Sequence, residues 1–305
     1  MVVSSSEATR REYAARMNRV IDHIQAHLNE PLDLELLASV ACFSPFHFHR
    51  LFRAMNGETP QAYIHRLRLE RAAQLLVFDP FRAISDIALD CGFSGSAPFA
   101  RAFKTAWGVS ASEWRKRRIR QPESKPREAP GALYLARSKQ TAMTHPFQVH
   151  VRNIAPVTVA YLRHIGPYIG NTALFRRLFG ELFAWAEPRG LFGPDALWLS
   201  VFEDNPHFTP AAKQRLEVAL IVPAGTPPSG KIGVRKMEAG RCATVRVRVR
   251  IEDYATQWDR LIGDWLPGSG YQPDHRPALE FYHNNPETDP EGKYDIEICL
   301  PVQPL

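Results

Sequence analysis

Two stretches about fifty residues apart, within the first 120 positions, carry nearly the same pattern. Leu34, Leu37, Ala38, Phe43, Ser44, Arg50, Phe52, Arg53, Gly57, Thr59 and Tyr63 are echoed by Ile84, Ile87, Ala88, Phe93, Ser94, Arg101, Phe103, Lys104, Gly108, Ser110 and Trp114. The offset is 50 before the second helix of each copy and 51 within it. Each copy reads as a short apolar helix, a tight turn, and a second helix with an arginine on a part-apolar surface. A duplicated helix-turn-helix satisfies this pattern, and the partner such paired helices read is double-stranded DNA.

The charge distribution agrees. Residues 1–121 hold 17 Lys+Arg against 12 Asp+Glu, whereas residues 122–305 hold 21 against 20. The positive excess therefore sits where a polyanion would dock. With 305 residues, the chain has room for two domains with cores of their own. Cys42, Cys91, Cys242 and Cys299 show no CxxC spacing and follow no secretory signal, which predicts reduced thiols, no metal or cofactor, and a cytoplasmic location. No run reaches the roughly eighteen apolar residues of a membrane span.

Local signals divide the chain further. Tyr13, Met17, Val20, Ile21, Ile24 and Leu28 recur at helical spacing. Ser44-Pro45 and Thr59-Pro60 are N-cap and first-turn pairs, and Ser110-Ala-Ser-Glu113 is a capping box. The helix from Pro60 to about Phe78 forms a strut of roughly 27 Å, suited to holding two reading heads near one turn of DNA apart. The basic run Arg115-Lys-Arg-Arg118 reads equally as a solvated helix end or a phosphate grip. The expected organisation is an all-α domain over 1–118, a proline-bearing linker over 119–145 with a short ordered piece near Leu133 to Ala136, and an α+β domain over 146–305.

That α+β part holds a second duplication. Trp198-Leu-Ser-Val-Phe202 precedes Ala278-Leu-Glu-Phe-Tyr282 by 80 positions, and Arg215-Leu-Glu-Val matches Asp295-Ile-Glu-Ile at the same offset. The leading strands Val157 to Arg163 and Gly240 to Arg246 correspond at 83, and the helical stretches Ala173–Arg189 and Tyr254–Leu266 lie between. Two strand-helix-strand-strand units paired about a pseudo-symmetry axis account for this, with a ligand surface between them.

On the first reading helix the open face is expected to show Phe46, His49, Arg50 and Arg53, with Leu51 and Phe52 buried. Arg50 can donate two hydrogen bonds to guanine O6 and N7. His47 and His49 point to different sides of a helix and make no metal pair. The stretch Cys42-Phe-Ser-Pro-Phe-His-Phe-His-Arg-Leu-Phe-Arg53, with Gly92-Phe-Ser-Gly-Ser-Ala-Pro-Phe-Ala-Arg-Ala-Phe-Lys104 and Gly108-Val-Ser-Ala-Ser-Glu-Trp-Arg115, resembles the AraC/XylS family of transcription regulators over about residues 10–118. The resemblance implies base-reading positions at Arg50 and Arg101, flanked by Phe46, His49, Ser96 and Ala97; Arg53 and Lys104 add basic contacts. Small residues around Arg101 depart from a strong reader, so the first unit is expected to specify sequence and the second to position.

Residues 145–305 resemble the GyrI-like (SHS2-type) effector domains, carried by Phe147 to Arg152, Val159 to Tyr168, Leu279-Glu-Phe-Tyr282 and Asp295 to Val302. The resemblance implies a site for a small cationic or aromatic effector. Glu297 is the first carboxylate placed in it, followed by Glu280 and Tyr282, with Trp198, Phe202, Tyr168 and Trp185 as aromatic wall. The alternative for Glu297 is a pair with an arginine in Arg246-Val-Arg-Val-Arg250, and Glu217 is its repeat counterpart. No Ser-His-Asp order, metal set or phosphate loop supports an enzyme. A regulator, with activation the family-level preference and RNA polymerase a further partner, is expected; a hydrolase or protein-interaction role for the second domain stays open.

Overall fold

Ser44, Thr59 and Ser110 each accept a backbone N–H three residues on, from His47 at 3.5 Å, Ala62 at 3.2 Å and Glu113 at 3.2 Å. Glu113 closes its capping box by accepting from the Ser110 N–H at 3.0 Å. The computed structural model that shows these caps describes residues 5–120, 147–193, 196–205, 208–274 and 276–305. From residue 121 onward, the stretch read as a linker, with the piece near Leu133 to Ala136, lies outside the described residues. The chain divides into an N-terminal helical unit and a C-terminal unit built on a sheet.

The helical unit contains α1 (Ser5–Ala26), α2 (Leu34–Val40), α3 (Pro45–Asn56), α4 (Pro60–Phe78), α5 (Ile84–Asp90), α6 (Ser96–Trp107) and α7 (Ala111–Arg120). Its repeat is a three-helix unit, longer than the two-helix echo in the sequence. Tyr13 on α1 meets Phe43 edge to face at 5.4 Å, and His65 on α4 meets Phe93 the same way at 5.6 Å. The ring ladder Phe48–Phe52–Tyr63, with steps of 5.6 and 5.5 Å, returns as Phe99–Phe103–Trp114 with steps of 5.4 and 5.9 Å. Thus α1-α2-α3 and α4-α5-α6 are copies, and α7 supplies the closing Trp114, whose indole N–H donates to the Ala73 carbonyl. Helix α4 is buried on opposite sides because it serves both copies: Tyr63, Ile64 and Leu67 join the first core, while Ala73 takes Trp114.

Both recognition helices end on a left-handed glycine, Gly57 and Gly108. The helix-turn-helix bends are matched as well, with Cys42 at φ 54° and Gly92 at φ 78°. Since Cys42 adopts this conformation with a side chain, φ alone does not require glycine. At Gly92 a Cβ would lie 2.8 Å from the Leu28 carbonyl oxygen and from the Arg68 guanidinium. Gly92→Ala is expected to destabilise the helical unit by about 1–2 kcal/mol, while Cys42→Gly leaves it within about 1 kcal/mol of the parent. Denaturant unfolding of the two variants checks the contrast.

The second unit has β1 (His150–Ile154), β2 (Val157–Ile165), α8 (Thr172–Ala186), β3 (Trp198–Phe202), β4 (Arg215–Ile221), β5 (Ile232–Met237), β6 (Gly240–Val249), α9 (Tyr254–Asp259), β7 (Tyr271–Pro273), β8 (Ala278–Tyr282) and β9 (Tyr294–Pro304). The strand order is β1-β6-β9-β8-β3-β4-β2-β5, with β7 beside β9. The copies exchange their leading strands: β1 pairs with β6 of the second copy, and β5 with β2 of the first. At the centre β3 and β8 run antiparallel with Ser200 opposite Glu280, so the pseudo-twofold passes between these two residues. Helix α9 covers less than the second helical stretch expected from the sequence; it continues as a π-helical turn over Arg260–Trp265, whereas α8 is regular.

One sheet face buries Val159, Tyr161, Leu199, Val201, Leu279, Phe281 and Cys299. The other carries both helices: α9 and its extension pack on Val245, Ile296 and Ile298, and Phe179 of α8 reaches Trp198 and Tyr282. The floor between the helices is therefore Trp198, Ser200 and Phe202 of β3, with Glu280 and Tyr282 of β8.

Candidate DNA-reading surface and effector cleft

In the helical unit, α3 buries Phe48 and Phe52 and exposes Phe46, Arg50 and Arg53. Leu51 and His49 are half-buried, so His49 sits at the edge of the open face. The Arg50 guanidinium lies 5.6 Å from the Phe46 ring centre, which pre-orders the arginine without occupying its hydrogen bonds. On α6, Phe99 and Phe103 are buried, and Ser96, Ala97, Arg101 and Lys104 are exposed. Its N-cap, Gly95, provides no side-chain acceptor, so the first-turn N–H groups lack the cap that Ser44 gives α3. Arg115 donates to the Arg82 carbonyl at 2.8 Å, which makes that member of the basic run part of the packing.

A groove of about 440 Å³ runs beside α3, lined by Tyr13, Phe43, His47, Arg50, Leu51 and Ala54. Its repeat image, of about 470 Å³, runs beside α6 with His65, Leu69, Arg101, Ala102 and Thr105 in its lining. The helix-turn-helix echo pointed to neither Tyr13 nor His65; the signal lay one helix upstream, where Tyr13 and Met17 precede His65 and Leu69 by 52 positions.

In the second unit the central group is Glu280, only 1% exposed. It accepts hydrogen bonds from the Tyr254 hydroxyl and the Trp258 indole N–H, and from the Tyr282 hydroxyl at 3.0 Å. Ser200 adds a bond of 2.9 Å to Tyr282. Around this knot, Phe179 touches Tyr282 and Trp198, and Phe202 touches Tyr168 and Trp258. Burial pushes the Glu280 carboxyl above its ordinary range, against the lowering effect of its three donors. The Tyr254 and Tyr282 hydroxyls are pushed up by burial and by that carboxylate. Sequence reasoning missed Tyr254, Trp258 and Phe179. Tyr254 and Trp258 are four apart on one helix, a spacing that marks a shared face.

Glu280, Tyr282, Trp198, Phe202 and Tyr168 are thus brought together, whereas Glu297 and Trp185 are not. Glu297 stands opposite Phe281 in the β8–β9 register, so it faces away from the helices. It pairs with Arg152 of the exchanged strand β1 at 2.5 Å. Glu297, which the sequence reading placed first in the pocket, therefore lies on the opposite sheet face from Glu280, and the arginine anticipated as its partner comes from β1 and not from β6. Its repeat counterpart Glu217 is fully buried and paired with Arg163 at 2.6 Å and with Arg235 of the other exchanged strand at 2.8 Å. Burial alone would raise the Glu217 carboxyl, but Arg235 and Arg163 hold it below the usual range. The two pairs are images of one another and tie each swapped strand to its host copy. Trp185 belongs to the buried stripe Leu174, Leu178, Leu182, Trp185 of α8 and is covered by Arg189 at 4.9 Å. Phe179, and not Trp185, is the α8 ring beside Trp198 and Tyr282.

No helix among the described residues is long and apolar enough to cross a membrane. Residues 147–303 match the GyrI-like small molecule binding domain, and residues 37–117 match a helix-turn-helix domain. The chain is similar to the DNA gyrase inhibitor of Escherichia fergusonii, 31% identical over 150 residues that cover 48% of this chain and 92% of the relative. It is equally similar to the DNA gyrase inhibitor of Citrobacter rodentium, 31% identical over 158 residues covering 51% and 96%. A solved transcriptional regulator with an AraC-type DNA-binding domain, from Chromobacterium violaceum, is 29% identical and covers 35% of this chain and 94% of its own, with a TM-score of 0.32. The chain belongs to the GyrI-like family, its small-molecule binding domain preceded by a helix-turn-helix domain.

Proposed function

We propose that this protein is a cytoplasmic transcription regulator, with activation as its mode, that reads duplex DNA through residues 1–118 and senses a small lipophilic cation through residues 146–305. The observation that carries the sensing half is Glu280: a buried carboxylate on the pseudo-twofold, held by tyrosine and tryptophan donors and walled by aromatic rings. Burying such a charge is costly unless a partner compensates it. A lipophilic cation bearing aryl groups replaces the hydroxyl and indole donors with a full charge and packs against the rings that already stand there. Phe46, His49, Arg50 and Arg53 read bases, and Ser96, Ala97, Arg101 and Lys104 hold the second half-site. RNA polymerase is the further partner of an activator so bound.

The ligand changes DNA affinity only to the extent that it binds one state of the protein better than another. Selection of bound duplexes from a random pool, with and without tetraphenylphosphonium, tests both halves at once. The expected result is a non-palindromic site of two half-sites about 10 base pairs apart, recovered at a different yield when the cation is present. Failure to enrich any sequence rejects DNA reading; hydrolysis of candidate esters in the cleft assigns it to catalysis, with Glu280 as base.

A further inference from the structure

The grooves beside α3 and α6 occupy the same place in the two three-helix copies, and each has an arginine of the reading helix on one side, Arg50 or Arg101. On the other side stands a ring from the first helix of the copy, Tyr13 or His65. Each ring is fixed edge to face on the phenylalanine of its turn, at 82° for Tyr13 on Phe43 and 69° for His65 on Phe93. Tyr13 is 37% exposed, and His65 is exposed. Among the described residues neither the Tyr13 hydroxyl nor the His65 ring makes a hydrogen bond. In contrast, the Thr105 hydroxyl in the second groove already donates to the Arg101 carbonyl at 2.9 Å. No carboxylate lines either groove, and the floors are apolar, Phe43 and Leu51 in one, Leu69 and Ala102 in the other.

An unused donor on an immobilised ring, in an acid-free groove next to an arginine, suits a phosphate oxygen, and the apolar floor suits the deoxyribose attached to it. We infer that Tyr13 and His65 are matched backbone clamps, each donating one hydrogen bond to a DNA phosphate beside its reading head and so setting the angle at which that helix enters the groove. This rests on the DNA-reading function proposed above. Although His65 is exposed, the part of its imidazole turned inward is desolvated, and with Arg68 nearby this holds the ring below its usual pKa, so it reaches the phosphate as a neutral donor. A neutral donor displaces few counterions, so these clamps add affinity without steepening the salt dependence.

Tyr13→Phe and His65→Phe remove the donors and keep the ring contacts with Phe43 and Phe93, whereas His65→Gln keeps a donor. The experiment is fluorescence anisotropy of the full chain on the selected duplex and on single-base variants of it, across a salt series. Active protein is titrated at high DNA concentration, so misfolded molecules drop out of the affinity. The expected result is a loss of about 3- to 10-fold for each Phe variant on every duplex alike, an unchanged salt slope, and near-parental binding for His65→Gln. Parental affinity in both Phe variants overturns the inference while leaving DNA reading intact, as does a loss confined to particular base variants. Absence of any duplex preference in the unmodified protein overturns the inference and the function beneath it together.

Discussion

Glu280→Gln lowers the affinity of the second unit for a lipophilic monocation by about 10- to 150-fold, the range set by a lost charge-assisted contact of about 1.5–3 kcal/mol. The amide keeps the size of the carboxylate, its oxygen can accept from the Trp258 indole N–H, and its NH2 can donate to the Tyr254 and Tyr282 hydroxyls, so the cleft retains its shape and loses only its charge. Glu297→Gln is the matched control. Its pair with Arg152 is half-exposed on the arginine side and lies on the opposite sheet face. It contributes at most about 1 kcal/mol to stability, and the substitution leaves ligand affinity unchanged. The pH dependence has a definite sign. Burial raises the Glu280 carboxyl, so it takes up a proton at a pH where an ordinary glutamate is still ionised. A cation bound beside it pulls the pKa back down and expels that proton. Affinity therefore falls on acidification, and binding releases protons as pH drops toward the raised pKa. Calorimetry in two buffers of different ionisation enthalpy reads both effects. Equal affinity of parent and Glu280→Gln, or loss in Glu297→Gln instead, would return the pocket to the other face.

The contrast between these glutamates also shows where sequence reasoning reaches its limit. In Leu279-Glu-Phe-Tyr and Asp295-Ile-Glu-Ile the period of two says that each carboxylate opposes its apolar neighbours. It does not say which face the helices will cover. The connections through α8 and α9 decide that, and they place both helices over Glu280. Arg152 reaches Glu297 from 145 positions away because the copies exchange their first strands. The clue was the Val-Arg pair at 151–152 and 234–235, which only the pairing order makes meaningful. Helix α8 is apolar over more than one stripe, so its period could not separate Trp185 from Phe179. By contrast, the helical unit was legible almost in full. Its caps, turns and ring ladders are set by residues within a few positions of one another, and local physical chemistry settles them. The exception was α1 as the missing third of the repeat, whose relation to α4 lies in packing on Phe43 and Phe93.

Arg50→Ala is expected to cost about 1–3 kcal/mol on the selected duplex, or about 5- to 150-fold in affinity, and to flatten the preference at the one or two base pairs it reads. Two features of α3 support Arg50 as the proposed specifying arginine. Helix α3 is stoppered by Ser44, which spends one first-turn N–H inside the protein, and Phe46 beneath the Arg50 guanidinium limits its rotamers before DNA arrives. Less entropy is then lost per base contact. Arg101 lacks both aids: Gly95 caps nothing, and the residues before Arg101 on α6 are small or buried. With its first-turn N–H groups free of a side-chain cap, α6 suits the proposed grip on phosphate. Arg101→Ala should weaken all duplexes by a similar severalfold factor and reduce the slope of log affinity against log salt by about one. Anisotropy titrations against every single-base variant of the site, at three salt concentrations, separate the roles. If Arg101→Ala relaxes base preference more than Arg50→Ala does, the division of labour runs the other way, and the uncapped helix is the reader.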